Sequence, residues 1–306
     1  MAVLIANDSF DPAVFAGSSC AFGVFDGIHK GHRYLIEQAI QTARDSQAPS
    51  IALTFDIDPD EVFHPDRLKK LMRNADRLAA LESSGVDFVV VLPFTADLFS
   101  LSPEDFLQAT FSNGAPAHMH IGENFRFGAK AAGNVETLER WGGQVGCSIH
   151  AHQLVSTDGK PITATRIRLL LLDCNVKEAA RLLGHPYTLY ETVQAGRGEG
   201  SGFGFATANL QIKPHDRVLG EGVYAAWAEI AGTRYKAAVS VGVSPTFEAT
   251  SSANAEAHIL DFEGDLVGQT IALEFAEYLR PMIKFESTDE LIATVMGNID
   301  WIRKNL

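Results

Sequence analysis

The stretch Gly23-Val-Phe-Asp-Gly-Ile-His-Lys-Gly-His32 joins an apolar run to a helical pattern, and it decides how the first half of the chain folds. Residues 20–25 predict a buried strand, and residues 34–44, with apolar side chains on one face, predict a helix. Backbone amides at a helix N-terminus bind anions, and histidine side chains add further donors. The stretch therefore predicts a phosphate-binding turn between a strand and a helix.

Two other interpretations of His29 and His32 stay open at this point. The imidazoles could form a metal pair, although no third ligand follows at helical spacing. They could also be two surface histidines. Gly27 and Gly31 favour phosphate, because glycines let the backbone approach a nucleotide closely. The chemistry then expected is adenylyl transfer, in which a phosphate oxygen attacks the α-phosphorus of ATP while the protein aligns the groups and stabilises charge.

The rest of the first half predicts a parallel α/β sheet. Further apolar runs at residues 51–55 and 86–92 alternate with a helical pattern at residues 75–84. Ligands in such sheets bind at the carboxyl ends of the strands. A single helix over residues 164–183 is expected to close this half, with Gly184-His-Pro186 as its stop signal. We therefore predict a first domain of residues 1–184 and a second of residues 185–306.

The second half has a different period. Short strand-like runs at residues 187–193, 223–230, 235–241, 256–262 and 270–275 are separated by Gly, Pro and Asn. Closely spaced strands of this kind predict a small antiparallel barrel. A helix over residues 288–304 follows, with Ser287 and Thr288 as equal candidates for its N-cap.

Composition excludes some classes of function. With 25 Lys and Arg against 38 Asp and Glu, the net charge of −13 argues against nucleic acid as a partner. No uncharged apolar run approaches the ~20 residues of a membrane span, so no membrane association is expected. The start of the chain lacks the basic region of a signal peptide. Three scattered cysteines predict reduced thiols in a cytoplasmic protein.

Four motifs of the first half resemble a known family. Residues 29–32 resemble the His-x-Gly-His signature of the nucleotidylyltransferase superfamily, and their flanks resemble bacterial bifunctional riboflavin kinase/FAD synthetase. Phe55-Asp-Ile-Asp-Pro59 resembles Phe-Asp-Pro-His-Pro, and Gly122-Glu-Asn-Phe-Arg-Phe-Gly128 resembles Gly-x-Asp/Asn-Phe-x-Phe-Gly. Thr163-Ala-Thr-Arg-Ile-Arg168 resembles Ser-Ser-Thr-x-Ile-Arg. The resemblance implies a Rossmann-like FMN adenylyltransferase domain.

The resemblance also implies roles for residues of this half. His29 and His32 are expected to contact the ATP phosphates, with Thr165 and Arg166 holding the triphosphate at a helix N-terminus. The other residues implied to bind ATP or phosphate here are Gly23, Phe25 and Gly31. Those implied to line the flavin pocket are Asn124, Phe125 and Phe127. The structural alternatives are a helix N-cap with a surface arginine, and a core turn for the phenylalanines.

Two aspartates follow the run at residues 51–55. Asp56 is a candidate to orient a nucleophile or a metal, and a capping carboxylate after a strand is an equal alternative. Asp58 stands where the family has a histidine, so the role of this loop in the family does not transfer directly.

The second half contains five glycines in nine residues, at positions 196–204. Such a segment either flexes or lies against a ligand. After it, Thr207 and Asn209 offer hard oxygen ligands that suit Mg²⁺ on ATP phosphates. Glu256 begins an apolar strand, where its carboxylate could accept the proton of an alcohol attacking a γ-phosphate. The plain alternative is a flexible turn and an exposed glutamate.

Residues 196–209 resemble the riboflavin kinase pattern Gly-x-x-x-Gly-Arg-x-Leu-Gly-Phe-Pro-Thr-Ala-Asn. The resemblance implies that Gly204 contacts ATP, Thr207 and Asn209 bind the metal, and Glu256 is the catalytic base. Three departures from the family matter. Ser201 replaces an arginine and Ala206 replaces a proline in this pattern, and Val267 replaces a tyrosine in a later Asp-Leu-Tyr-Gly motif. The loss of proline loosens the loop and the loss of arginine removes a phosphate donor. The metal ligands and the base are retained, so kinase activity is expected, weakened at most by these losses.

The resemblance implies two ATP-dependent reactions, both with Mg²⁺. Riboflavin is phosphorylated to FMN, and FMN is adenylylated to FAD with release of pyrophosphate. One alternative is an adenylyltransferase for another acceptor, such as pantetheine phosphate or nicotinamide mononucleotide, although such enzymes lack a second module like residues 185–306. A second alternative is a FAD synthetase whose kinase module is weakened or serves as a flavin-binding regulator, and turnover of riboflavin separates these.

Overall fold

A computed structural model describes residues 2–6, 10–63, 69–112, 114–195, 207–212, 218–242 and 253–306. The chain divides into two compact units. The first contains the described residues of Met1–Leu68 and Met72–Thr163. The second contains Lys69–Leu71 and the described residues of Ala164–Leu306.

The first unit is built on a parallel sheet, which confirms the predicted fold class. Its spatial order is β1-β4-β3-β2-β5-β6, and the neighbouring strands pair in parallel. The strands are β1 (Ala2–Ile5), β2 (Ser19–Phe22), β3 (Ser50–Phe55), β4 (Phe88–Leu92), β5 (His118–Gly122) and β6 (Ser148–His152). A small hairpin of β7 (Ser156–Thr157) and β8 (Lys160–Pro161) follows. Strand β1 at the edge of the sheet was not predicted.

Helices cover both faces of this sheet. They are α1 (Lys30–Asp45), α2 (Pro59–Phe63), α3 (Asn74–Glu82), α4 (Ala96–Ser100), α5 (Pro103–Phe111) and α6 (Val135–Val145). Side chains of β3 alternate between two cores, because Ile51 and Leu53 pack with α5 and α6 while Ala52 packs with α1 and α3. Strands buried on both faces are typical of such a sheet, so its ligand-binding groups are expected at the carboxyl ends.

The prediction of one helix over residues 164–183 is wrong. The structure has two helices in the second unit, α7 (Ala164–Leu172) and α8 (Val176–Leu183). Cys174 adopts a left-handed φ of 61°, and the Asn175 side chain accepts a hydrogen bond from the Glu178 backbone as N-cap of α8. A residue with left-handed φ interrupts a helix, and asparagine restarts one efficiently. The predicted stop at Gly184 is confirmed, since it caps α8 with a φ of 81°.

The second unit contains the predicted antiparallel barrel and C-terminal helix. The barrel closes in the order β10-β13-β12-β11-β14-β9. Its strands are β9 (Tyr187–Gln194), β10 (Thr207–Ile212), β11 (Gly222–Ile230), β12 (Thr233–Gly242), β13 (Ala253–Ile259) and β14 (Thr270–Arg280). Helix α9 (Thr288–Asn305) follows, and of the two candidate caps it is Ser287 whose side chain accepts from Glu290.

Candidate functional site

The histidine turn lies between the carboxyl end of β2 and helix α1. Phe25 has a left-handed φ of 60°, and the chain then turns through residues 26–28 into His29, the N-cap of α1. His29 Nδ1 accepts a hydrogen bond from the His32 backbone N–H at 3.3 Å. In a neutral His29 the ring proton is therefore on Nε2, which makes that atom a donor.

The two imidazoles stack on each other at the start of the helix. Their ring centroids lie 3.6 Å apart with an angle of 17° between the planes. A Cβ added to Gly31 would lie 3.1 Å from the His29 ring, and one added to Gly23 would lie 3.2 Å from the Phe25 ring. Both glycines therefore leave room for the aromatic rings of the turn. The structure brings His29, His32, Gly23, Phe25 and Gly31 together in this one turn.

His32 is held neutral by its surroundings. Burial, then His29, then the Arg77 cation lower its pKa well below the usual value. Its Nδ1 is buried and has no hydrogen-bond partner among the described residues. Within the described ranges, no group of three or more His, Cys, Asp or Glu residues is arranged to hold a metal ion.

The three residues expected at the flavin differ in their environments. Asn124 is exposed in the turn after β5, and Phe125 packs on Phe22 of β2 with ring centroids 4.8 Å apart. Phe127 is only 6% exposed and belongs to the hydrophobic core. A Cβ on Gly133 would lie 2.6 Å from the Phe127 ring, so this glycine is required by the packing of that ring.

Asp56 makes the contacts of a capping carboxylate. Its Oδ1 accepts hydrogen bonds from the backbone of Ile57 at 2.8 Å and of Phe94 at 2.7 Å. It thereby ties the end of β3 to the segment after β4. Asp58 is buried, and its Oδ1 accepts from the Asp60 backbone.

Arg77 is a site-forming residue that sequence reasoning missed. It lies on α3, is 1% exposed, and donates to the backbone at the ends of β2 and β3. A lone arginine within a helical pattern gives no signal of burial, because arginine is mostly exposed in proteins.

Thr165 and Arg166 occupy the first turn of α7, in the second unit. Thr165 is exposed and Arg166 is half-buried. Arg166 forms an ion pair with Glu178 of α8, with a distance of 3.6 Å between Nη2 and Oε1.

The predicted kinase residues meet on the outside of the barrel. Thr207 and Asn209 lie on β10, so the expected loop position is corrected to a strand. Asn209 pairs in register with Glu256 of β13, and Thr207 pairs with His258. Residues directly opposite on antiparallel strands point to the same face. The neighbours Ala208 and Ala257 are buried, which places Thr207, Asn209 and Glu256 together on the outer face. Gly204, Ser201 and Ala206 lie outside the described residues.

Known proteins match both units. The FAD synthetase family profile matches residues 11–166, and the riboflavin kinase profile matches residues 183–306. A bifunctional riboflavin kinase/FMN adenylyltransferase from Pseudomonas fluorescens is 31% identical, with 92% of this chain and 91% of that protein covered. The enzyme of that name from Listeria monocytogenes is also 31% identical, covering 89% and 87% of the two chains.

A solved structure has the same fold over nearly the whole chain. A Streptococcus pneumoniae protein described as a macrolide-efflux protein superposes with a TM-score of 0.84, at 29% identity and 99% coverage of each chain. Among the residues described for the present chain, no helix has the length and apolar character needed to cross a membrane.

A parallel sheet with a histidine turn at its carboxyl edge, followed by a closed barrel, defines a nucleotide-using protein with two separate domains. The matching profiles and relatives narrow this class. The chain belongs to the family of bifunctional riboflavin kinase/FMN adenylyltransferases, with an FAD synthetase domain followed by a riboflavin kinase domain.

Proposed function

We propose that the two reactions of this family, phosphorylation of riboflavin and adenylylation of FMN, take place at two separate sets of residues in this chain. The observation that carries the proposal is the His29–His32 stack at the N-terminus of α1. His29 Nε2–H and the amides of the helix donate to ATP phosphate oxygens there. In the same proposal the kinase unit begins with α7 rather than at residue 185, which the division into compact units favours.

His32 contributes a proton-dependent contact. Its ring is neutral without ligand, because burial and two neighbouring groups disfavour the charged form. An approaching phosphate favours the imidazolium, and the charged ring then stabilises negative charge that develops on the phosphoryl oxygens. Thr165 and Arg166 supply further donors to the triphosphate, and Gly23, Phe25 and Gly31 shape the turn.

The FMN site of this proposal lies at the loop after β5. Phe125 offers one partly exposed aromatic ring, which suits an isoalloxazine ring, and Asn124 offers an exposed amide. Phe127 supports the loop from the core.

The kinase site lies on the outer face of β10 and β13. The side-chain oxygens of Thr207 and Asn209 are the kind of ligand that Mg²⁺ accepts, and they lie on one face of one strand. They would hold Mg²⁺, which when bound neutralises charge on ATP phosphates. Glu256 lies in register with Asn209 and accepts the proton of the ribityl hydroxyl that attacks the γ-phosphate. Gly204 completes the ATP contacts in this proposal.

We also propose that the protein works in the cytoplasm. Its three cysteines are free thiols, of which Cys20 and Cys147 are buried. Burial raises the pKa of the Cys147 thiol to about 12, so it stays protonated and unreactive. Reduced, unpaired cysteines are typical of cytoplasmic proteins.

Two reciprocal variants test the division of labour. We expect His32→Ala to abolish FAD formation from FMN and ATP and to leave FMN formation from riboflavin intact. Glu256→Gln should do the reverse, because it removes the proton acceptor and keeps the shape of the side chain. In each variant, the reaction that is expected to persist is the control that the other domain is intact. If either folded variant loses both reactions equally, the two-site proposal is wrong.

A further inference from the structure

Arg77 is the largest fully buried side chain of the described residues, and its contacts lead directly to the histidine turn. Its Nη1 donates to the Val24 carbonyl at 2.7 Å and to Thr54 Oγ1 at 2.6 Å. Its Nη2 donates to the Phe55 carbonyl at 2.7 Å. Thr54 Oγ1 in turn donates to the Val24 carbonyl at 3.2 Å.

These acceptors are the carboxyl ends of two neighbouring strands. Val24 comes two residues after the end of β2 and directly before Phe25, whose left-handed φ begins the histidine turn. Phe55 is the last residue of β3. A planar guanidinium with a fixed fork of donors holds both strand ends in one geometry, which a single ammonium group cannot do.

The same guanidinium is linked through Asp56 to the segment after a third strand, β4. Its Nη2 lies 3.3 Å from the Asp56 carbonyl, and Asp56 Oδ1 accepts from the Phe94 backbone beyond β4. Asn74 Oδ1 at 3.4 Å is a further contact within α3. One side chain thus connects the segments that follow three adjacent strands at the edge where ligands bind.

Burying a cation is unfavourable unless other charges compensate it. Four carboxylates, Asp58, Asp26, Glu61 and Asp56, favour the charged form of Arg77 and oppose the lowering of its pKa by burial. Asp26 belongs to the histidine turn itself. The charge of Arg77 also disfavours protonation of His32. The cation is therefore part of the electrostatic surroundings of the phosphate turn, in addition to supporting its backbone.

We propose that Arg77 is a positioning residue for adenylyl transfer, which fixes the backbone of the histidine turn through Val24 and Phe55 without touching the substrate. This inference rests on the proposed role of His29 and His32. The turn has two non-glycine residues with left-handed φ, Phe25 and Ile28, and its shape is held by contacts outside the turn. Arg77 holds Val24, the residue directly before this turn.

Arg77→Lys is the principal test, because it keeps the charge and removes the fork. We expect the kcat of FAD formation to fall by at least about tenfold, with KM for FMN changed much less. FMN formation by the second unit should stay at the wild-type level. Arg77→Met removes the charge as well. We expect the alkaline limb of its pH profile for FAD formation to move to higher pH, since the charged His32 ring then persists to higher pH, whereas Arg77→Lys should leave that limb in place.

A matched pair of threonine variants covers the case in which the arginine variants do not fold. Thr54→Val removes the hydroxyl that bridges Arg77 and Val24, and we expect a fall of about threefold to tenfold in the kcat of FAD formation. Thr110→Val is the control, because Thr110 is also buried but its Oγ1 has no hydrogen-bond partner among the described residues. It should leave both reactions unchanged.

Three outcomes would overturn the inference. The first is wild-type FAD formation in folded Arg77→Lys. The second is a loss of thermal stability with an unchanged kcat, which would make Arg77 a structural brace only. The third is an equal effect of Thr54→Val and Thr110→Val. His32→Ala, assayed alongside, separates this inference from the proposed function: if it keeps FAD formation, the histidine assignment fails on its own.

Discussion

Phe125 and Phe127 lie two positions apart in one motif, yet their surroundings assign them different tasks. Phe127 is buried against Phe106 and Gly133, whereas Phe125 is half-buried and packs on Phe22. A motif matched by sequence treats the two rings alike. Only the packing distinguishes a ring that builds the loop from a ring that is available to a ligand.

This difference gives a testable prediction at the scale of single residues. Phe127→Ala should lower the free energy of unfolding of the first unit by about 3–5 kcal/mol, because it empties a core position. Phe125→Ala should cost less than half as much and should raise KM for FMN in FAD formation. Urea unfolding and steady-state kinetics measure the two effects. A Phe127→Ala variant with wild-type stability and a raised KM for FMN would contradict the assignment.

At the scale of elements, β5 and β6 carry an unusual ladder of four histidines. His118 and His120 on β5 lie beside His150 and His152 on β6. His118 Nδ1 is 3.1 Å from His150 Nε2, and His120 Nδ1 is 2.9 Å from His152 Nε2. The His120 and His150 rings stack with centroids 4.5 Å apart. Each nitrogen pair needs one N–H and one bare nitrogen, so at least one ring of each pair must stay neutral.

The ladder predicts loss of stability in acid. Burial and the neighbouring histidines lower the pKa of His120 to about 3, and they lower the pKa of His150 and His152 in the same direction. Below pH ~6.5 the unfolded chain therefore binds more protons than the folded one, so stability falls as pH decreases toward 3. From pH 7 to pH 5, His120 alone should cost the first unit about 2 kcal/mol.

The measurement is urea unfolding at pH 7 and pH 5, followed through Trp141 with Trp227 and Trp301 replaced by phenylalanine. His120→Asn should reduce the loss in acid, because asparagine does not titrate in this range. The control is His185→Asn, outside the ladder, which should leave the loss unchanged. Equal pH dependence of wild type and His120→Asn would show that the ladder does not carry the effect. The Glu123 backbone donates to the His152 carbonyl at 2.9 Å, so the ladder is hydrogen-bonded to the loop proposed for FMN.

The elements also show where sequence was sufficient and where it was not. The strand-to-helix position of His29 and His32 followed from local periodicity, because strands buried on both faces give continuous apolar runs. Strand β10 was not predicted, because the short alternating run Thr207–Ile212 comes soon after a glycine-rich segment and looks like part of the same loop. The helix break at Cys174 was not predicted either. Residues 173–175 contain no proline or glycine, so the break depends on tertiary packing that the local sequence does not show. Arg77 was missed for the same reason: its burial is set by strand ends distant in sequence.

At the scale of the whole molecule, helices α7 and α8 lie in a different unit from the one that the sequence predicted. Both belong to the unit of the barrel, although the sequence placed them in the first domain. The Gly220 backbone donates to the Leu171 carbonyl at 2.9 Å, and Lys177 of α8 forms an ion pair with Glu277 of β14. The barrel therefore has covering helices that begin before residue 185.

We predict that a fragment of residues 164–306 is more stable than one of residues 185–306, and that both phosphorylate riboflavin. Val176, Leu182 and Leu183 of α8 are buried, and each fully buried side chain of this kind contributes about 1.5–3 kcal/mol. The shorter fragment lacks these side chains and exposes the surface of β9 and β14 that they cover. Its free energy of unfolding should be lower by more than about 2 kcal/mol, and its kinase activity should fall at temperatures where the longer fragment remains folded.

In the full chain, Leu182→Ala should destabilise the second unit by about 2–5 kcal/mol, whereas the exposed Leu172→Ala should have little effect. Equal stability of the two fragments would mean that α8 contributes nothing to the barrel and that the kinase domain begins at residue 185.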